Sequence, residues 1–83
     1  MSHDFTSIHI SSLVIHCLPE KLKAVMANTA TITNVEIAAH DVSGKIIALL
    51  ETETEQEILN IIDHINALRG VITTTMVYHE LDC

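Results

Sequence analysis

Apolar residues recur at every second position in parts of this chain and at every third or fourth in others, and the switch between the two periods predicts its elements. Residues 8–17, IHISSLVIHC, are apolar and β-branched over the length of a strand. Leu18-Pro19-Glu20 then predicts a helix start, with proline in the first turn beside an acidic residue. Leu22, Val25, Met26 and Thr29 fall on one helical face running to about Ala30, although no Ser, Thr, Asp or Asn caps its start. Val35 to His40 alternates again, with Val35, Ile37 and Ala39 on one side. Asp41-Val42-Ser43-Gly44 is turn chemistry, an Asp able to bond its own backbone and a Gly free to take positive φ. The strand Ile46 to Leu50 completes a hairpin.

The second helix carries the clearest signals. Thr54 and Glu57 form a capping box, with Thr52 and Glu55 as a competing register. Ile58, Ile61, Ile62, Ile65 and Leu68 then repeat at helical spacing. Glu53, Glu55 and Glu57 suit the positive end of the helix dipole and Arg69 the negative end, before Gly70 stops the helix. A last strand runs from Val71 to His79.

The order β-α-β-β-α-β divides into two similar halves, each a strand, a helix and a strand. Right-handed crossovers in both halves predict an α+β, ferredoxin-like fold. Its sheet is four-stranded and antiparallel in the order 4-1-3-2, with both helices on one face. Residues 1–83 make one domain, with 1–6 and 81–83 expected as mobile tails.

Two helices cover one side of such a sheet and leave the other bare. The period of two places Ser11, Leu13, Ile15 and Cys17 towards the helices, with Val35, Ile37, Ala39, Ile46, Ala48 and Leu50. Thr74, Met76 and Tyr78 lie together on one side of the last strand. The bare face then receives Ile8, Ile10, Ser12, Val14, His16, Glu36, Ala38, His40, Ile47, Leu49, Glu51, Thr73, Thr75, Val77 and His79. Its aliphatic strip, Ile10, Val14, Ile47, Leu49 and Val77, is more apolar than a solvent-facing sheet requires. Five such residues approach the area at which a patch signals an interface. The pattern leaves self-association and a foreign ligand both open, because a patch does not name its partner.

Composition narrows the partner. The net charge is −7 with only four Lys and Arg, so no basic stripe exists for nucleic acid. An acidic surface favours cationic partners and repels anionic membranes. No secretion signal and no membrane span are expected, and two isolated cysteines fit a reducing, cytoplasmic setting. With one Phe, one Tyr and no Trp, the core has to be aliphatic.

Candidate chemistry is sparse. His16 and Cys17 are adjacent on a strand and diverge, so Cys17 reads as a small buried hydrophobe. His16, His40 and His79 share the bare face on this assignment, yet they come from three strands at unknown heights, and the plainer reading is polar-face residues. The run Glu51, Glu53, Glu55, Glu57 is mostly a helix start matched to its dipole. No nucleophile–base order, phosphate loop or paired catalytic carboxylates can be picked out, and no metal or cofactor site is expected. The chain reads as a binding module, not an enzyme.

Three blocks carry a resemblance: Ser11-Ser12-Leu13-Val14-Ile15, Gly44 to Glu51, and Gly70-Val71 followed by Met76-Val77-Tyr78-His79. In this order and spacing they resemble the NapD family, cytoplasmic assembly chaperones of the periplasmic nitrate reductase. The family often has Pro-Gly where this chain has Thr33-Asn34, and Asn tolerates the left-handed conformation such a turn needs.

The resemblance implies a small protein that binds the twin-arginine signal peptide of the catalytic subunit precursor and delays its export while the molybdenum cofactor is inserted. Two guanidinium groups followed by an apolar stretch call for carboxylates beside an aliphatic strip. The expected peptide-binding residues are Ile10, Ser12, Val14, His16, Glu36, Ile47, Leu49, Glu51, Thr73, Thr75, Val77 and His79. Strand addition at an edge, 35–40 or 71–79, is the competing mode, since neither edge holds a proline. A regulatory domain of the same fold, dimerising through its sheet and binding a small metabolite, is the alternative function. A weak homodimer is compatible with the chaperone reading too.

Overall fold

The central strand is built by strict alternation. In β1, Ile8–Cys17, the residues Ser11, Leu13, Ile15 and Cys17 are buried, while Ile10, Ser12 and Val14 are half-buried and His16 is exposed. The computed structural model describes residues 8–82, with side chains as far as Val77. The remaining elements are α1 (Leu22–Ala30), β2 (Val35–Asp41), β3 (Lys45–Thr52), α2 (Glu55–Asn66) and β4 (Val71–Asp82). All strand pairs are antiparallel, in the order β2-β3-β1-β4, which is the 4-1-3-2 sheet the sequence predicts. The last strand continues to Asp82, beyond the expected start of a tail at 81; the tail expected at 1–6 lies outside the described residues.

The core is aliphatic. Leu13 and Ile15 of β1 and Ile46, Ala48 and Leu50 of β3 meet Val25 of α1 and Ile58 and Ile65 of α2, each at most 2% exposed. Both helices therefore pack on the same side of the sheet. At full burial each of the Val, Leu and Ile side chains contributes about 1.5–3 kcal/mol of transfer free energy, and Ala48 less.

The two helices start differently. Before α1 the chain makes a 3-10 turn, Pro19–Lys21, and no side chain caps either segment. At α2 the Glu57 N–H donates to Thr54 Oγ1 at 3.1 Å, and the Glu57 carboxylate accepts from the Glu53 N–H at 3.0 Å. The competing Thr52 register is not used, because Thr52 is buried at the end of β3.

The end of β1 is tied by both glycine turns. The Cys17 N–H donates to the Gly44 carbonyl at 2.8 Å and the Leu18 N–H to the Gly70 carbonyl at 2.9 Å. Gly44 has φ +103°, and a Cβ there would lie 2.1 Å from the Cys17 carbonyl oxygen, so only glycine fits. Asn34 takes φ 70° in the turn before β2, as the Thr33-Asn34 sequence allows.

Both edge strands are bulged, and this corrects part of the face assignment. In β2, Ile37 lies opposite Ala48 but Ala39 lies opposite Ile47, leaving Ala38 as the extra residue. From there the alternation slips by one: Ala39 joins the bare face and His40 comes opposite the buried Ile46. In β4, Ile72 and Val77 are the extra residues. Thr74 and Met76 remain opposite Ile15 and Leu13, but Tyr78 passes to the row of Ser12 and His79 to the row of Ser11.

Candidate functional site

The side of the sheet away from the helices is the candidate site, and it is assembled row by row from the ladder. One row joins Glu36, Leu49 and Ser12; the next joins Glu51 and Ile10. Ala39, Ile47, Val14 and Thr75 form another, and Lys45, His16 and Thr73 close the far end beside Asp41. From Glu51 to Lys45 the strip spans about 20 Å at the usual strand rise.

Ten of the twelve expected residues therefore share this face: Ile10, Ser12, Val14, His16, Glu36, Ile47, Leu49, Glu51, Thr73 and Thr75. Val77 sits at a bulge and is 59% exposed, without a ladder partner on β1. His79 falls opposite Ser11, a core-side position, and its side chain lies outside the described residues. The slip at Val77 is the reason: one extra residue moves everything after it to the other phase. His40 leaves the face for the same reason at Ala38, so the three histidines do not converge. Among the described residues no group of three His, Cys, Asp or Glu is placed to hold a metal ion.

Sequence reasoning missed Lys45. Counting back by two from Glu51 reaches it, yet the strand was expected to begin only at Ile46. Lys45 lies across the ladder from the Asp41 carboxylate, so the two charges offset at the His16 end of the face, while the carboxylates of Glu36 and Glu51 lie together at the other end. The aliphatic residues between are half-buried, apart from Leu49 at 37% exposure. They cover one another, and no helix among the described residues covers them.

The acidic end is hollowed. A depression of about 250 Å³ is lined by Ile10, Asn34, Val35, Glu36, Leu49, Leu50 and Glu51. A second, of about 380 Å³, is lined by Ile8, Asn34, Glu51, Thr52, Glu53 and Glu57. Asn34 and Glu51 belong to both. A larger groove of about 620 Å³ runs on the helix side, between α1 and β2 under Met26, Ala30 and His40. It is lined by no carboxylate, so its size alone gives it no claim to a cationic partner.

Cys17 has no part in this site. It is 2% exposed, and burial pushes its thiol up from the usual value, which keeps it protonated and unreactive at neutral pH.

The family model described as "NapD protein" matches residues 8–83. The chain belongs to the NapD family. Among its relatives, Chaperone NapD of Haemophilus influenzae is 28% identical over 75 residues, covering 89% of this chain and 81% of that protein. Chaperone NapD of Escherichia coli K12 is 25% identical over 76 residues, covering 90% and 87%. The solution structure of the E. coli Tat proofreading chaperone protein NapD superimposes with a TM-score of 0.81 at 24% identity, over 90% of this chain and 80% of that one. At that identity the structural match speaks to the fold, which is the ferredoxin-like arrangement described above. The NapD relatives are named as chaperones, not enzymes. Among the described residues no helix is long and apolar enough to cross a membrane.

Proposed function

We propose that this NapD-family protein is a chaperone that binds the twin-arginine signal peptide of the periplasmic nitrate reductase catalytic subunit. It holds the precursor in the cytoplasm until the cofactor is in place. The observation that carries this reading is the bare face: an aliphatic strip with two carboxylates at one end and, among the described residues, no helix over it. Arginine side chains of the peptide pair with the acidic end, where fork-to-fork contacts fix orientation. The apolar stretch that follows them covers Leu49, Ile47, Ile10 and Val14, and burial at about 25 cal/mol per Å² supplies most of the affinity after ordering costs.

Docking on the face is favoured over strand addition by the edges themselves. The bulge at Ala38 interrupts β2, and those at Ile72 and Val77 interrupt β4. Such interruptions twist a strand away from a would-be neighbour.

Calorimetric titration with a synthetic twin-arginine signal peptide tests the reading, with a twin-lysine peptide as control. The lysine peptide is expected to bind about tenfold more weakly, because an ammonium cannot reproduce the bidentate contact. Equal affinity for the two peptides overturns it. Amide shifts spread over β1 and β3 are expected in the complex; shifts confined to one edge would instead identify strand addition.

A further inference from the structure

The few cations of this acidic chain are not spread over its surface but gathered at one end of the domain. Resting on the chaperone reading, we infer that the end around Lys21, Lys23 and Arg69 is a second contact surface. Its occupant is an acidic patch on the mature part of the precursor, the protein that follows the signal peptide.

Three segments meet where β1 ends. The Cys17 N–H reaches the Gly44 carbonyl in the hairpin turn, and the Leu18 N–H reaches the Gly70 carbonyl after α2. A Cβ on Gly70 would lie 2.7 Å from the Lys21 Cβ, so the stem of Lys21 rests directly on that turn. These contacts bring all four Lys and Arg of the chain to one end: Lys21 and Lys23 around the start of α1, Lys45 at the start of β3, and Arg69 before Gly70. All four are exposed. Asp41 offsets Lys45, and the carboxylates near the other three are Glu20 and Asp63. No salt bridge ties Lys21, Lys23 or Arg69 among the described residues. Apolar side chains stand exposed in the same turns: Leu18 at 40%, Val42 at 83% and Ile72 at 61%. Apolar area ringed by charge is the anatomy of a protein interface.

The direction of the peptide says what arrives there. On the chaperone reading its arginines sit by Glu36 and Glu51, and its apolar stretch runs down the strip towards His16 and Lys45, about 20 Å away. An apolar export segment of about 7–15 residues covers about 10–22 Å as a helix, and more when extended. The chain that follows it therefore leaves the sheet over the row of Lys45, His16 and Thr73, beside the three turns. Tethering places the mature part there at high effective concentration, so a modest contact is enough. Charge then selects among its surfaces, because exposed cations favour an acidic patch. An anionic membrane is the poorer partner, since the whole chain would approach it with a net charge of −7.

Calorimetry on the full chain at low ionic strength tests this with two titrants, the isolated signal peptide and the precursor that carries it. The wild type is expected to bind the precursor more tightly than the peptide. The triple variant Lys21→Gln, Lys23→Gln, Arg69→Gln should bind the peptide as the wild type does and the precursor about three- to tenfold more weakly, a difference that shrinks at high salt. Glu20→Gln, which removes an opposing carboxylate, should tighten the precursor by about twofold and leave the peptide unchanged. Circular dichroism confirms that each variant is folded. If the wild type fails to bind the isolated peptide, the chaperone reading falls and this one with it. If the wild type binds the peptide but the triple variant matches it on the precursor, or weakens both titrants alike, this inference alone is overturned. Phosphatidylglycerol vesicles are expected not to bind; binding that the triple variant loses would assign the surface to lipid and overturn it as well.

Discussion

Val14 and Ile15 are neighbours on the same strand, nearly equal in size and both apolar, yet they belong to different regimes. Ile15 is 0% exposed among residues of both helices, whereas Val14 is half-buried on a face no helix covers. The contrast extends over the whole sheet. On one side Leu13, Ile46, Ala48 and Leu50 are sealed by the chain itself. On the other Ile10, Ile47 and Leu49 form a strip of similar hydrophobicity that ends in charge. The helix-covered face holds the fold together; the bare face carries apolar area that the two helices do not bury.

Truncation is the severest way to break that contrast. Ile15→Ala is expected to cost about 2–5 kcal/mol, a large part of a small domain's total stability. Val14→Ala, one residue away, should cost less than about 1 kcal/mol. Urea unfolding of the two variants makes the comparison, and equal losses would mean that the bare face is as much a part of the core as the other.

Charge insertion separates stability from binding. Val14→Lys should lower affinity for a twin-arginine peptide by tenfold or more, roughly 1.4 kcal/mol, by placing an ammonium in the aliphatic strip. The melting temperature should move by only a few degrees. Val77→Lys, at an exposed bulge on the edge strand, should have the weaker effect on binding. A larger effect at Val77 would shift the docking surface towards β4.

Within the covered face the faintest flaw is polar. Thr29 on α1 is 0% exposed, and its hydroxyl has no partner among the described residues. Thr29→Val keeps the shape and removes an unsatisfied group, so a gain of about 0.5–1 kcal/mol in unfolding free energy is expected. A loss would reveal a bond that the hydroxyl makes in solution.

The same two faces explain how much could be read in advance. β1 and β3 pair without a single slip; both faces of each are apolar in the middle, so the phase is legible only from their ends, where His16, Lys45 and Glu51 fall on one side and Cys17, Ile46 and Leu50 on the other. Helix α2 was equally plain, because its capping box and isoleucine spacing agree. The edges were not. Ala38-Ala39 and Thr73-Thr74-Thr75 are nearly neutral between core and solvent, so no pattern marks where a bulge inserts a residue. That is why Ala39 and His40 exchange faces and why His79 falls out of the expected site. The hollow at Asn34, Thr52, Glu53 and Glu57 was hidden for another reason. It brings the turn residue Asn34 against a strand end and helix start at 52–57 that are distant from it in sequence, and its acidic run has a sufficient local explanation in the helix dipole.

The smallest expected effect lies at the Lys45 end of the bare face. Asp41 beside Lys45 accepts from both the hydroxyl and the N–H of Ser43, and these bonds, the hydroxyl first, hold its carboxyl below the usual carboxylate range, with Lys45 adding a little. A carboxyl lowered on folding binds protons less readily in the native state. Its contribution is therefore fully present above the ordinary carboxylate value and is lost as pH falls through the lowered one. Asp41 is fully exposed, so the effect on stability is slight and is better read at the group itself. Titration of the Asp41 carboxyl carbon by NMR should give a midpoint below that of an unstructured aspartate, and Ser43→Ala should move it back upward. Lys45→Ala should move it less. If Lys45→Ala produced the greater rise, the hairpin end would be governed by long-range charge and not by the turn, and the polarity of the bare face would reach further than its ladder neighbours.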